Sequence, residues 1–382
     1  MSATLTSPAL EQYEALDWPV RTEENWRFGA WKEANLSGLE LVGVGVGASG
    51  KLPAPLKGFT RIVFENGTLV SGSHDSVELT KESFGPVSRL GSVKLSALHT
   101  AKSDHGLHIK SATDLSIEVI HFVSGDGLLL PGIVIEAQEG ANIRVVKRFI
   151  SVDNSATTVL DATDVRIAAN AHATCLVTQE LNAQSKFIRF ADSTLEASSS
   201  AKLAVIHTGA KWVREETYAT VDSMDARSEI LSVALPTTGQ EYDQRTFQHH
   251  GARNTYSELL FKNTLFGKAK TIFSGLIFVD EGAHGTDAYQ TCRNLMMTDE
   301  CEANSMPGLE INADDVKCSH GSTSARVSDE EIFYLMARGI PSKDARSLVA
   351  QGFSVEAIEK LEDEQLEALA FEVVARKFAN VE

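Results

Sequence analysis

The sequence predicts a mainly β protein, in which a long body of short strands follows a short N-terminal segment and precedes an α-helical region. Three observations lead there. Apolar runs of strand length, many of them β-branched, recur between about residues 56 and 325, separated by Gly, Asn, Asp and Ser. Long amphipathic helical patterns are nearly absent from that stretch, which argues against alternating strand–helix units. After about residue 326 the signals become helical.

Residues 1–55 form the first region. It carries Trp18, Trp26, Phe28 and Trp31 and ends in the Gly- and Pro-rich run from Gly43 to Pro55, which reads as a connection. The aromatics could box a ligand; the plainer reading, which we prefer, is that they anchor a short segment to the body.

Residues 56–325 form the body. Arg61-Ile-Val-Phe, Ser116-Ile-Glu-Val-Ile, Ile143-Arg-Val-Val, Cys175-Leu-Val-Thr and Ile230-Leu-Ser-Val are typical of its strands. A small turn residue or lysine followed by Ala recurs at Gly140-Ala141, Asn170-Ala171 and Ser200-Ala201, 30 residues apart, and again at Asp225-Ala226 and Lys268-Ala269. Such a period suits a coiled solenoid such as a β-helix. A many-stranded β-sandwich also reads as short strands with polar turns, and the pattern leaves both open.

Residues 326–382 form the helical region. Ser328 and Glu331 make a capping box, and Gly339 followed by Pro341 marks a stop. Ser342 can cap a second helix ending near Gly352, and Ser354 and Asp363 can start further ones. Leu366, Leu369, Ala370, Val373 and Val374 form one stripe, which must pack on the body, on neighbouring helices or on another protein.

Composition narrows the function classes. With 52 Asp+Glu against 35 Lys+Arg, the net charge of -17 repels phosphate backbones and anionic membrane surfaces, so neither nucleic acid nor membrane is an expected partner. Four cysteines without a Cys-x-x-Cys pair make neither a disulfide scaffold nor a common zinc motif. Met1 to Leu10 lacks the pattern of a secretory signal, and no apolar run reaches bilayer length, so a reducing, cytoplasmic setting is expected.

Metal- and sulfur-competent side chains are densest from His284 to His320, with Cys292, Cys301 and Cys318 between them. Thiolate and imidazole are the usual ligands of zinc and iron–sulfur centres, yet these spacings match no standard signature. We read Cys175, Cys292 and Cys301 as buried and inert. Cys318-Ser319-His320 is sharper: in an extended strand, residues i and i+2 share a face, so thiol and imidazole would stand together. A protonated neighbouring His would lower the thiol pKa. Two ligands leave a metal site incomplete, which makes most sense where a second chain completes it. A core histidine beside a buried cysteine is the competing reading. The tandem His249-His250 would point to opposite faces of a strand and so serve structure. No P-loop, Gly-x-Ser-x-Gly elbow or His-Glu-x-x-His is present.

Longer stretches carry a family resemblance. Ala288-Tyr289-Gln290 to Arg293-Asn294-Leu295, Met306-Pro307-Gly308 through Cys318-Ser319-His320-Gly321, and Phe333-Tyr334-Leu335-Met336-Ala337-Arg338-Gly339-Ile340 closely resemble the SufB/SufD family. His250, Asn254, Ser257, Phe273-Ser274-Gly275 and, near the start, Glu24-Asn25-Trp26-Arg27-Phe28 extend the likeness. Cys-Ser-His-Gly after Ala-Asp-Asp-Val is similar to the SufD branch. His284 departs from it, since many relatives have glutamine there.

The resemblance implies a right-handed parallel β-helix core and a non-catalytic scaffold of iron–sulfur cluster assembly. The implied partners are SufB-type and SufC ATPase subunits, with self-pairing when the chain is isolated. It places His320, with Cys318, at the subunit interface as ligand of transient iron or nascent cluster, with no stably bound cofactor. The C-terminal helices become the docking element for SufC, with Phe333, Tyr334, Arg338 and Gly339 as candidates, and the ATPase supplies hydrolysis. Two other classes compete: a β-helix enzyme acting on polysaccharide, and a stable metal-binding protein using the His284–His320 group.

Overall fold

The computed structural model describes residues 8–43, 45, 52–80, 88–103 and 106–379. Residues within the Gly43–Pro55 connection, and the first seven of the Met1–Leu10 stretch, lie outside the described residues. The first strand is Thr60–Glu65 and the last is Lys317–Arg326. Strands make up 47% of the chain, as two ten-stranded sheets. From Asn142–Ser151 onward, consecutive strands alternate between the sheets, and each up to the last two pairs in parallel with the strand two places on: His172–Glu180, for instance, lies between Asn142–Ser151 and Ser200–His207. Skip-one parallel pairing is the topology of a solenoid, here of about 8 turns, and it decides against a sandwich. Antiparallel pairing occurs at the N-terminal end, where Thr60–Glu65 meets Thr68–Ser71 and Val77–Thr80 meets Gly106–Ser111.

Period-two patterning turns one face of each strand inward. Ile143 and Val145 stack on Ala173 and Cys175, and these on Ala201 and Leu203, within one continuous core. Each coil needs a tight corner, and one corner is made by left-handed residues in register: Gly140, Asn170, Ser198, Asp225, Asn254, Gly285 and Asp315, with φ between 54° and 77°. Gly, Asn and Asp tolerate that conformation best. Gly140-Ala141, Asn170-Ala171 and Asp225-Ala226 therefore mark true corners. Two repeat positions do not: Ser200-Ala201 lies inside a strand, displaced from the corner at Ser198, and Lys268-Ala269 belongs to the opposite corner beside Gly267.

The N-terminal segment covers the outer face of the second sheet. Trp26 is fully buried, stacks on Trp212 at 6.3 Å and has the Arg214 guanidinium over its ring at 4.2 Å. Arg214 is held by Glu216 and Asp243 and donates to the Leu90 carbonyl at 2.6 Å. The aromatics anchor, as the plainer reading expected.

At the other end Ser328 caps helix Asp329–Met336 by accepting the Glu331 N–H at 3.2 Å, and Gly339 follows at φ 87°. Asp363 caps helix Glu364–Ala379, accepting from Gln365 and Leu366. The expected stop near Gly352 and fresh start at Ser354 do not occur. Ser342–Glu359 is one helix of 18 residues, and Ser354 bonds back to the Ala350 carbonyl. Nor is the Leu366–Val374 stripe left for another protein: it packs with Leu176, Ala204, Ile206 and Leu231 on the outer face of the first sheet. Burying each large apolar side chain there contributes on the order of 1.5–3 kcal/mol.

Candidate functional site

The solenoid ends in an open coil. Glu302–Ile311 and Lys317–Arg326 are the last strands of the two sheets, and each pairs on one side only. Glu302 and Asn312 donate inward to Ala269 and Val279, so the even-numbered N–H groups of the first strand face its sheet and the odd-numbered ones face the free edge. Pro307, which has no N–H, occupies an edge position, where a sheet tolerates it. In the second strand Lys317 and Val327 donate to Thr286 and Met296, leaving the backbone groups of Cys318, His320, Ser322 and Ser324 toward the edge. Unpaired edges of this length are templates for another strand.

Cys318 and His320 stand on this last coil. They sit in register with Ala288 and Gln290, which places both on the inward-facing row at the mouth of the solenoid. The shared face expected from their spacing is present. Cys318 packs beside Val316 and Ala288 and is half-buried, whereas the His320 position is exposed. The expected depression of the thiol pKa is absent: burial pushes it up, Asp287 pushes the same way, and the Ala288 N–H opposes them.

The rest of the His284–His320 group disperses. His284 is half-buried and bonds to the Asp314 carbonyl at 2.8 Å. Cys301 sits at a corner against the Leu265 and Gly267 carbonyls, at 3.2 and 3.3 Å. Cys292 lies inside the solenoid, its thiol pushed up to about 12 by burial. Among the described residues no three His, Cys, Asp or Glu side chains converge as a metal site. His249 and His250 do face opposite ways: His249 bridges Asp222 and Asp280 outside, at 2.8 Å each, and His250 bonds Thr255 and Ser257 inside.

Sequence reasoning missed a polar interior. Lys147 bonds Asp161, Arg189 bonds Glu215 at 2.9 Å, and Glu215 takes the His207 imidazole at 2.9 Å, all essentially without solvent contact. Burial raises the Cys175 thiol pKa, and the cations Arg189 and Lys147 offset part of that rise. Nearer the open end Gln244, Gln248 and Gln290 each donate through nitrogen and leave the amide oxygen unpartnered. Gly275 makes room for this layer, since a Cβ there would come within 2.3 Å of Gln290 Oε1 and 2.6 Å of Thr246 Oγ1. The signal was present, as charged and amide residues at inward period-two positions, but their partners lie on other coils.

The candidate docking helix is asymmetric. Ile332 is buried, while Phe333, Tyr334 and Met336 are 72%, 56% and 45% exposed. The Arg338 guanidinium lies 3.5 Å from the centre of the Tyr334 ring and donates to the Tyr334 carbonyl, and Gly339 ends the element. Phe333 and Tyr334 are therefore adjacent aromatics on a short helix that the rest of the chain leaves in solvent.

An open-ended parallel β-solenoid with a helical appendage, offering a thiol and an imidazole at an unpaired edge, is the class of protein these features define. The family model for the SUF system FeS cluster assembly, SufBD core domain, matches residues 121–353, and the chain belongs to that family. It is 33% identical over 232 residues to the iron–sulfur cluster assembly protein SufD of Escherichia coli, covering 61% of this chain and 55% of that protein. A SufBD family protein of Synechocystis is 30% identical over 202 residues, 52% of this chain and 44% of its own. A Mycobacterium tuberculosis SufBD family protein is 36% identical over 142 residues, 35% of this chain and 36% of its own. The alignments span about half or less of these relatives. Among the described residues no helix is long and apolar enough to cross a membrane.

Proposed function

We propose that this chain is a non-catalytic scaffold subunit of cytoplasmic iron–sulfur cluster assembly, working as a complex with a SufB-type subunit and a SufC-type ATPase. The observation that carries this reading is the open coil. It presents two free strand edges together with Cys318 and His320, so a second solenoid joined there would share one lumen with this one and complete a ligand set that two side chains cannot. Iron or a nascent cluster is then cargo held in passing.

The three regions take distinct roles: the described part of 1–55 clamps the outer face of the second sheet, 56–325 carries the edge and the cargo residues, and 326–382 receives the ATPase through Phe333, Tyr334, Arg338 and Gly339. Nucleotide-driven movement of the ATPase reaches the open end through the helix at 329–336, whose capping serine directly follows the last strand by one residue. Such coupling requires contacts that differ between two states.

The test is co-purification with SufB- and SufC-type partners, followed by anaerobic cluster assembly with iron and a sulfur donor. His320→Ala is expected to leave the complex intact and abolish cluster formation. Assembly at the unaltered rate would remove His320 from the site, and a folded chain that binds neither partner would end the scaffold reading.

A further inference from the structure

The end of the solenoid opposite the open coil holds a cavity of about 220 Å³. It lies where the first coil is incomplete: beyond Thr60–Glu65 there is only the short antiparallel strand Thr68–Ser71. Phe64, Leu107 and residues 128–131 give it apolar walls. Val42 straps one side, its N–H donating to the Leu128 carbonyl at 3.0 Å. One polar side chain reaches the cavity from within the core. His121 is 5% exposed and stands in register between Phe64 and Phe149. It stacks on both rings, at 5.1 and 4.9 Å and with interplanar angles of 19° and 9°. Both faces of the imidazole are therefore covered, and its edge is what remains to meet a ligand. Nδ1 has no hydrogen-bond partner in the chain. Burial, and after it the charge of Lys147, holds the pKa well below 6.5, so the ring is neutral and keeps a lone pair on one nitrogen. Buried polar groups without a partner are rare, because leaving one unmade is costly.

We propose that this cavity binds a small aromatic molecule bearing one N–H or O–H group, which donates to the imidazole of His121. Size, lining and the placement of the one acceptor each lead there. An apolar cavity of about 150 Å³ takes benzene. The cavity here is about half as large again, which suits a fused bicycle of the size of indole. Apolar walls with a single placed polar group are the usual composition of a small-molecule site, the walls supplying affinity and the polar group orientation. The stack on Phe64 and Phe149 fixes the imidazole before a ligand arrives, so little freedom is lost on binding. A ligand donor would satisfy His121, whereas a hydrocarbon of the same shape would leave it unpartnered, and the site discriminates between them on that ground. Cys318 and His320 stand at the other end of the solenoid, so this reading is independent of the one for cluster assembly.

The probes are indole and indene, the same fused ring with and without an N–H. Titrated into the full chain by calorimetry, indole is expected to bind about fivefold more tightly than indene, as one net hydrogen bond predicts. His121→Phe keeps the stack of rings and removes the acceptor, so it is expected to make the two affinities equal. Thr68→Trp changes an exposed residue at the rim, where folding is not at stake, and is expected to block the mouth and abolish binding of both probes. A wild-type chain that binds neither probe would overturn the proposal. So would a preference for indole that survives His121→Phe, or affinities that Thr68→Trp leaves unchanged, since the ring would then lie elsewhere on the molecule. Matched thermal melting of the variants and the wild type shows that unfolding is not the cause of a loss.

Discussion

His320 and His250 illustrate how one residue type takes two roles from position alone. His320 is an exposed edge position, whereas His250 is sealed inside and its pKa is lowered to about 4, by burial first and the charge of His249 second. The folded pKa of His250 lies below its unfolded value of 6.5, so the neutral form is the one that fits. Its stabilising contribution is complete above pH 6.5 and is lost as the pH falls toward 4, by on the order of 3 kcal/mol in total. His250→Asn is therefore expected to flatten the pH dependence of denaturant stability between pH 4 and 6.5, whatever its effect at neutral pH. An unaltered slope would show that another group titrates there. The opposite-facing placement of the tandem pair was legible in the sequence, because strand alternation is local; that His249 would lie between two aspartates from neighbouring coils was not.

The helices divide into those the body consumes and one it leaves over. Helix Glu364–Ala379 spends its apolar stripe on the first sheet, so removing the entire tail would strip the solenoid as well as any partner site. Helix Asp329–Met336 instead keeps Phe333 and Tyr334 in solvent, and they are the better probes. The double substitution Phe333→Ala, Tyr334→Ala is expected to abolish capture of the ATPase partner while leaving the melting temperature within a degree or two, since these side chains bury little in the chain itself. Retained capture would move the docking surface elsewhere. The caps at Ser328 and Asp363 could be read in advance, as capping is a matter of three or four residues. The unbroken run through Gly352 and Ser354 could not, because packing of Ala350, Ala357 and Ile358 on the body outweighs weak local stop signals.

Across the whole molecule the interior is the unusual feature. The solenoid encloses Lys147, Asp161, Arg189, Glu215 and His207 where other coils place Val, Ile and Phe. Removing one member strands a buried charge, which typically costs 3–5 kcal/mol, so Asp161→Ala is expected to lower the unfolding free energy by about that amount in chemical denaturation. Replacing Lys147 and Asp161 together with Met and Leu should recover most of it. A loss under about 1 kcal/mol for Asp161→Ala would show that water reaches Lys147.

What could be read from the chain alone was whatever a few neighbouring residues specify: strand-length runs, turn residues at Gly140, Asn170 and Asp225, the two helix caps, and the shared face of Cys318 and His320. Long contiguous matches such as Met306 to Gly321 also pointed to the family. Contacts between residues on different coils, or between the helices and the coils, were decided only by the tertiary structure. They select a solenoid over a sandwich, join Lys147 to Asp161 and Arg189 to Glu215, and bury the Leu366–Val374 stripe on the body. They also scatter His284, Cys292 and Cys301 away from Cys318. The physical reason is that backbone preference is local, while pairing and burial depend on which coil lies above and below. The last coil has none above it, and that missing neighbour is what makes its edge, and the two side chains beside it, available.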